Sequence, residues 1–329
     1  SAIFTVTGIN DAPIVSAPLA IAATEDGAIV SVDARANATD VDHGSVLTAT
    51  DIPAVLPAGV SFDAASQSFS IDPSVAAYQY LSAGQTTQVT VAYSVSDGTV
   101  STPATAVFTI VGTNDAPIVT GPQSLSAVED APSIAINPFA NTTDVDQKDI
   151  LTVVGPLGAG VVKTATGYVF NPGAAAFQSL AQGEVGTFVW NYGISDGTVT
   201  VPTSMTFTVT GTNDAPTVPS PRANGTEDGA VVTIDALSTA TDPDHGSVLS
   251  VVNVQPSLPA GITYDATTHS FALDPTNAAF QSLGQGQVGT YSVSYGVTDG
   301  VATTAATAIF SVTGVNDAPV IVAPMVICA

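Results

Sequence analysis

The chain has 329 residues, of which 28 are acidic and only four basic (Arg35, Lys148, Lys163 and Arg222), a formal charge of −24; on that charge it is expected to bind neither nucleic acid nor an anionic bilayer. Its one cysteine, Cys328, excludes an internal disulfide and any cysteine-held zinc site. No apolar run approaches the roughly 18 residues of a membrane helix, so no membrane insertion is expected, and no signal-peptide pattern is visible.

Heavy use of Ala, Val, Thr and Ser, with 28 Gly and 22 Pro, points to β structure. Along the chain, "SAIFTVTGI" at 1–9 reads like "TAIFSVTGV" at 307–315 and is expected to be the last strand of a preceding repeat. Asn-Asp-Ala-Pro then follows at 10–13 and returns three times; its Asp stands at 11, 115, 214 and 317, at spacings of 104, 99 and 103 residues. Units of that length bury their own cores, unlike solenoid units of roughly 20 to 50 residues. The expected domains are 10–113, 114–212 and 213–315, with 316–329 a linker and the first strand of a following repeat.

Within each repeat, "QVTVAYSVSDG" puts Val89, Val91, Tyr93 and Val95 on one face; Phe188, Trp190, Tyr192 and Ile194, and Tyr291, Val293, Tyr295 and Val297, keep that register. The next strand repeats it with Phe108 and Ile110, Phe207 and Val209, Phe310 and Val312. "AAYQYL" at 76–81 and "AAFQSL" at 175–180 and 278–283 predict one short helical turn. About seven short strands per hundred residues, punctuated by Gly, Pro and Asp, predict an all-β chain: a tandem array of immunoglobulin-like antiparallel sandwiches.

The acids recur at fixed places. Each repeat carries Glu-Asp (25 and 26, 129 and 130, 227 and 228), then Asp-x-Asp (40 and 42, 144 and 146, 242 and 244), then Asp-Gly (97, 196, 299). From the second acid of Glu-Asp to the second of Asp-x-Asp is 16 residues in every copy, and from Asp-Gly to the next linker Asp is 18. Threading alternating strands through one repeat gathers Glu25, Asp72, Asn114, Asp115, Asp144, Asp146 and Asp196 at the first complete junction. The second gathers Glu129, Asn171, Asn213, Asp214, Asp242, Asp244 and Asp299. Partial sets remain at Asn10, Asp11, Asp40, Asp42 and Asp97, and at Glu227, Asp274, Asn316 and Asp317. Each pair of unit charges at 4 Å repels by about 1 kcal/mol even in water, so a hard divalent cation is expected there. Six to eight oxygen ligands without His or Cys favour Ca2+.

"TNDAP", "TEDGA", "DVDHGS" and Y-x-V-x-D-G together resemble the VCBS repeats of large bacterial repeats-in-toxin adhesins, which are related to cadherin-like domains; the resemblance covers essentially the whole chain. It implies calcium between successive domains. Glu25 would be the early Glu of the upper domain, Asp72 the acid before its sixth strand, Asn114 and Asp115 the linker ligands, and Asp144 and Asp146 those of the lower domain. Gly112 and Ala116 depart from the cadherin linker, where an Asp and an Asn stand. One or two ions per junction follow from the ligand number.

Bland readings apply elsewhere. Any single Asp-Gly can be a metal-free turn. Asp63 and Asp265 read as loop acids, and His43, His245 and His269 as exposed loop residues, since repeat 2 has Gln147 at the first two. Trp190 reads as core. The chain is thus expected to be a calcium-rigidified extracellular spacer on a bacterial surface, not an enzyme, with neighbouring repeats of its own chain as partners. Three repeats in line would span somewhat over 100 Å. The alternatives are a filament subunit self-associating through its opening strand, and a glycan- or protein-binding module, which would need a repeat-specific exposed aromatic cluster. Asn171 in place of Asp72 removes one charge, so the second junction is expected to fill later than the first.

Overall fold

The computed structural model describes residues 1–319. Cys328, and the strand expected beyond residue 319, lie outside the described residues. Every regular element among them is a strand. The chain forms two compact units: one of residues 1–123, 137–156 and 191–204, the other of 124–136, 157–190 and Met205 onward.

In the first unit β1 (Ile14–Val15), β2 (Leu19–Thr24), β3 (Val30–Asp33), β4 (Ala38–Thr39), β5 (Thr48–Thr50), β6 (Val60–Asp63), β7 (Ser68–Ile71), β8 (Thr86–Ser96) and β9 (Ser101–Val111) build a sandwich. One sheet runs β2-β9-β8-β5, the other β3-β7-β6, and β1 pairs with β4 alone. Nine strands replace the expected seven because the first two are each broken once. Pro18, which has no N–H for a ladder, stands at the break between β1 and β2; the Asn37 amide covers the carbonyls of Ala17 and Pro18 there. Tight turns, with Ala36 N–H donating to Asp33 and Ala38 N–H to Arg35, separate β3 from β4.

The sandwich is also not wholly antiparallel. β2 lies parallel to β9, from Leu19 opposite Ala106 to Thr24 opposite Val111. In a seven-strand alternation the first and last strands run the same way, so making them neighbours makes them parallel. The long β8–β9 ladder is antiparallel. Its inward residues are those the alternation marks: Val91, Tyr93, Val95, Phe108 and Ile110 are buried, around a fully buried Phe69. Phe69 meets Tyr93 edge-on at 5.1 Å, and the Tyr93 hydroxyl donates to the Ala34 carbonyl at 2.6 Å. Also in this unit, Ile118–Val119 pairs with Thr142–Thr143, and Thr152–Val154 with the end of Val185–Ser195.

The second unit repeats the plan. Arg222–Thr226, Thr303–Thr313, Val288–Thr298 and Ser250–Val252 make one sheet, Val232–Asp235, Ser270–Leu273 and Ile262–Asp265 the other. Arg222–Thr226 again runs parallel to the last strand, and the extra pair shrinks to one bridge between Thr217 and Thr241. Here Phe170 stacks on Phe207 at 4.0 Å, and Trp190 is buried against Tyr168, a core residue as expected.

Two expectations change. Residues 1–12 form no strand, and Ile3, Phe4, Val6 and Ile9 are exposed, because no sheet of this chain lies beside them to complete their hydrogen bonds. The short helical turns are pairs of successive turns: Tyr78 N–H donates to Val75 and Leu81 N–H to Tyr78, repeated at Phe177 and Leu180 and at Phe280 and Leu283. Both i, i+3 anchors of each pair are buried, so packing fixes these segments without an α-helical bond.

Candidate metal centre

At the end of β2, Glu25 N–H extends the ladder to the Val111 carbonyl, and Asp26 then turns the chain with φ of 56°. Glu25 follows Leu19, Ile21 and Ala23 on the inward face of the strand. Its side chain is 1% exposed, and its Oε2 accepts the Thr113 N–H at 3.0 Å. Gln79, between the anchors Tyr78 and Leu81, donates to Asp26 Oδ1 at 2.9 Å and to Glu25 Oε1 at 3.4 Å. The linker continues the chain of bonds. Asn114 Nδ2 donates to Asp196 Oδ2 at 3.0 Å, Asp115 N–H to Asp146 Oδ2 at 2.9 Å, and Asp146 N–H to Asp144 Oδ1 at 3.0 Å. Asp196 Oδ1 takes the N–H groups of Thr198 and Val199.

Gly112 makes this approach possible. A Cβ there would fall on the carbonyl oxygens of Leu81 and Ser82, and Gly211 faces Leu180 and Ala181 in the same way. Glycine at this linker position therefore has a steric reason.

The second unit builds the same set from its own residues. Thr212 N–H donates to Glu129 Oε2, Gln178 to both Glu129 and Asp130, Asn213 to Asp299, Asp214 N–H to Asp244, and Asp244 N–H to Asp242. The outer sets are partial. Asn10 donates to Asp97, Asp11 N–H to Asp42 and Asp42 N–H to Asp40; Val315 N–H donates to Glu227, and Asn316 to the Asp317 carbonyl.

Three expected ligands each have one side-chain oxygen in a local hydrogen bond. Asp72 Oδ1 accepts from Ser74 N–H and Oγ, Asp274 Oδ1 from Thr276 N–H and Oγ1, and Asn171 Oδ1 from Gly173 N–H. Each heads an Asx-Pro turn, whose own donors take the side-chain oxygen. Two acids not chosen from sequence also stand at the cluster: Asp26, through Gln79 and its charge on Glu25 and Asp115, and Asp149, whose ligand oxygen lies within 4.8 Å of those of Asp144 and Asp196. Asp63 and Asp265 close their own turns, as loop acids do. His43 and His245 are exposed; His269 is half-buried, with its Nδ1 3.4 Å from the Tyr264 hydroxyl.

The donors run out before the acceptors do. Asp115 Oδ2, Asp144 Oδ2 and Asp146 Oδ1 are buried with no hydrogen-bond partner, and so are Asp214 Oδ2, Asp242 Oδ2 and Asp244 Oδ1 in the second unit. Burial raises the carboxyl of Asp115, helped by the charges of Asp26 and Asp144. It raises those of Glu25 and Asp146 too, there against one backbone N–H each. Glu129, Asp214 and Asp244 are raised by burial in the same way. At Asp196 burial is outweighed by donors from Asn114, Val199 and Thr198, and its carboxyl is lowered. A buried anionic oxygen without a donor is costly. Three such oxygens per cluster, all hard, with no nitrogen or sulfur among them, fit a divalent cation of the calcium type.

Residues 213–313 match the family described as Bacterial Ig domain. Among solved structures the chain is similar to the human desmocollin-1 ectodomain at 14% identity and TM-score 0.46, covering 94% of this chain and 63% of that one. It is similar to mouse cadherin-23 EC22-24 at 16% and 0.45, covering 90% and 95%, and to an endo-fucoidan hydrolase of glycoside hydrolase family 107 at 17% and 0.29, covering 92% and 44%. The chain thus spans about three fifths of the desmocollin ectodomain. No curated protein sequence matches it. The molecule is an all-β tandem array of immunoglobulin-like sandwiches carrying acidic clusters at its linkers.

Proposed function

We propose that this chain is a calcium-rigidified spacer of a bacterial cell-surface adhesin, in which the repeats 10–113, 114–212 and 213–315 are the folded units and the ion-filled linkers are the stiff joints. The observation that carries the reading is the set of buried, unpartnered carboxylate oxygens in each complete linker and the Asp-x-Asp turn that follows it. Bound calcium would supply the positive charge that Asp115, Asp144 and Asp146, and Asp214, Asp242 and Asp244, have no donor for. Glu25 and Glu129 fix the linker backbone through Thr113 and Thr212. Where the cation is scarce, like charges push the two sides of a linker apart, a state suited to export. An extracellular site, attachment or biofilm formation, and the absence of an active site belong to this reading; so does the kinship with VCBS repeats that the motifs suggest. The test is small-angle scattering of the full chain. Millimolar calcium should lengthen and stiffen it with little change in far-ultraviolet dichroism, and an unchanged maximum dimension between chelator and calcium would sink the reading.

A second reading is favoured by the exposed Ile3, Phe4 and Val6: a filament subunit whose opening segment completes a neighbour's sheet. Polymerisation that rises with concentration, and that stops when residues 1–9 are removed, would support it.

A further inference from the structure

We infer that Asp149 is an additional cation ligand peculiar to the first cluster, so that this cluster takes a divalent cation more tightly than the cluster at Asp242 and Asp244. The inference rests on the reading of these clusters as calcium sites and adds what makes them unequal. The ligand oxygens of Asp144, Asp149 and Asp196 lie within 4.8 Å of one another, a separation one cation can bridge. Beside them stands Asp146, 3% exposed, with Oδ2 taken by the Asp115 N–H and Oδ1 buried without a partner. Asp149 heads the carboxylates that face it, before Asp115 and Asp144.

One backbone hydrogen bond recurs in all three repeats, but the turn it closes differs: Gly44 and Gly246 are left-handed, with φ of 88° and 79°, where the first cluster has Lys148, which is not. Asp149 N–H donates to the Asp146 carbonyl at 3.3 Å, as Ser247 N–H does to Asp244 and Ser45 N–H to Asp42. At the end of that turn the first cluster carries a carboxylate where the others have the hydroxyl of Ser45 and Ser247. Lys148 next to it does not neutralise the group: the ion pair among the described residues is Arg35 with Asp33. The second cluster has a compensating candidate in Glu184, which faces Asp244 and stands where the first has Gln85. Its Oε2, however, accepts the Ala181 N–H, and it is the weakest of the charges acting on Asp244. Ligand charge count tunes oxygen-ligand sites over orders of magnitude.

The experiment is a calorimetric titration of the full, chelator-stripped chain with calcium chloride, for wild type, Asp149→Ser and Ser247→Asp. Wild type should show two classes of site. Asp149→Ser should weaken the tighter class roughly tenfold and leave the other unchanged, and Ser247→Asp should tighten the weaker class by a similar factor. In chelator Asp149→Ser should unfold at or slightly above the wild-type temperature, because it removes a charge that crowds Asp144, Asp146 and Asp196. If wild type binds calcium and stiffens but Asp149→Ser titrates as wild type, the inference is overturned and the spacer reading stands. If wild type binds none, both fall.

Discussion

The first unit contains two versions of one construction, and their difference is instructive. At Asn10, Asp11, Asp40, Asp42 and Asp97, and again at Asn114, Asp115, Asp144, Asp146 and Asp196, the linker amide holds the Asp-Gly acid and the linker N–H holds the second acid of Asp-x-Asp, with nearly the same distances. Yet Asp11 is exposed and Asp42 half-buried, whereas Asp115 is half-buried and Asp146 fully buried. The linker and two turns therefore arrange one side of the site unaided. Asp40 Oδ2 is already buried without a partner in the Asn10 set; what that set lacks is the Glu-Asp turn, with Glu25 on the linker N–H and Gln79 behind it, and with it the buried, unpartnered oxygens that Asp115 and Asp146 add in the complete cluster.

The sharpest way to break the comparison is at the two linker glycines. Gly8→Ala should be neutral, because nothing lies near its Cβ, whereas Gly112→Ala puts a methyl onto the Leu81 and Ser82 carbonyls and should cost roughly 3 kcal/mol, read by urea unfolding in chelator. Equal effects would mean that the linker does not need this close approach.

Asp115→Ala should lower calcium affinity of one site class by about 10- to 100-fold while Asp11→Ala leaves both complete clusters as they are. Calorimetry in which Asp11→Ala weakens the same class as Asp115→Ala would contradict the separation of the sets.

Acidity gives a smaller effect whose sign depends on the cation. Glu25, Asp115, Asp146, Glu129, Asp214 and Asp244 bind protons more tightly folded than unfolded. In chelator the chain should therefore gain thermal stability as pH falls from neutral through their raised values, with the relief complete below the ordinary carboxylate values. Asp97, Asp196 and Asp299 are lowered, and their contribution is lost only below that window. In calcium the same acidification should destabilise, because protons displace the ion. A chelated chain that loses stability between neutral pH and the ordinary carboxylate range would show that these groups are not crowded.

The smallest change is Gln79→Ala, which removes the donor to Asp26 and Glu25 and should lower chelator-state stability by about 1 kcal/mol, measured by thermal unfolding.

Repetition made the sandwiches legible. The period-two faces of β8 and β9 and the constant spacings of Glu-Asp, Asp-x-Asp and Asp-Gly need only one sequence compared with itself. The same dependence hid what does not repeat. Asp149 aligns with two serines, so a search for recurring acids passes over it. Asp72 does recur, as Asn171 and Asp274, but spacing does not show that one oxygen of the two acids is held by a donor two residues on. Asn171 and Asp149 both make the two junctions unequal, and Asn171→Asp should change calcium affinity less than Asp149→Ser does, because Asn171 Oδ1 already accepts the Gly173 N–H. Asp26 was passed over because its role depends on a left-handed backbone angle. The parallel pairing of β2 and β9 escaped because alternation fixes which face a residue takes and not which strand lies beside it.

That parallel pair decides how a repeat meets mechanical load. The chain enters β2 at Leu19, opposite Ala106, and leaves β9 at Val111, opposite Thr24, so a pull on the two linkers draws the strands past each other along their length. All the hydrogen bonds of the pair are then strained together in shear. In an antiparallel hairpin pulled from its adjacent ends they would open one after another, like a zip. Tension between the linkers therefore loads the whole β2–β9 seam in shear, once the two-residue β1–β4 pair ahead of it has given way.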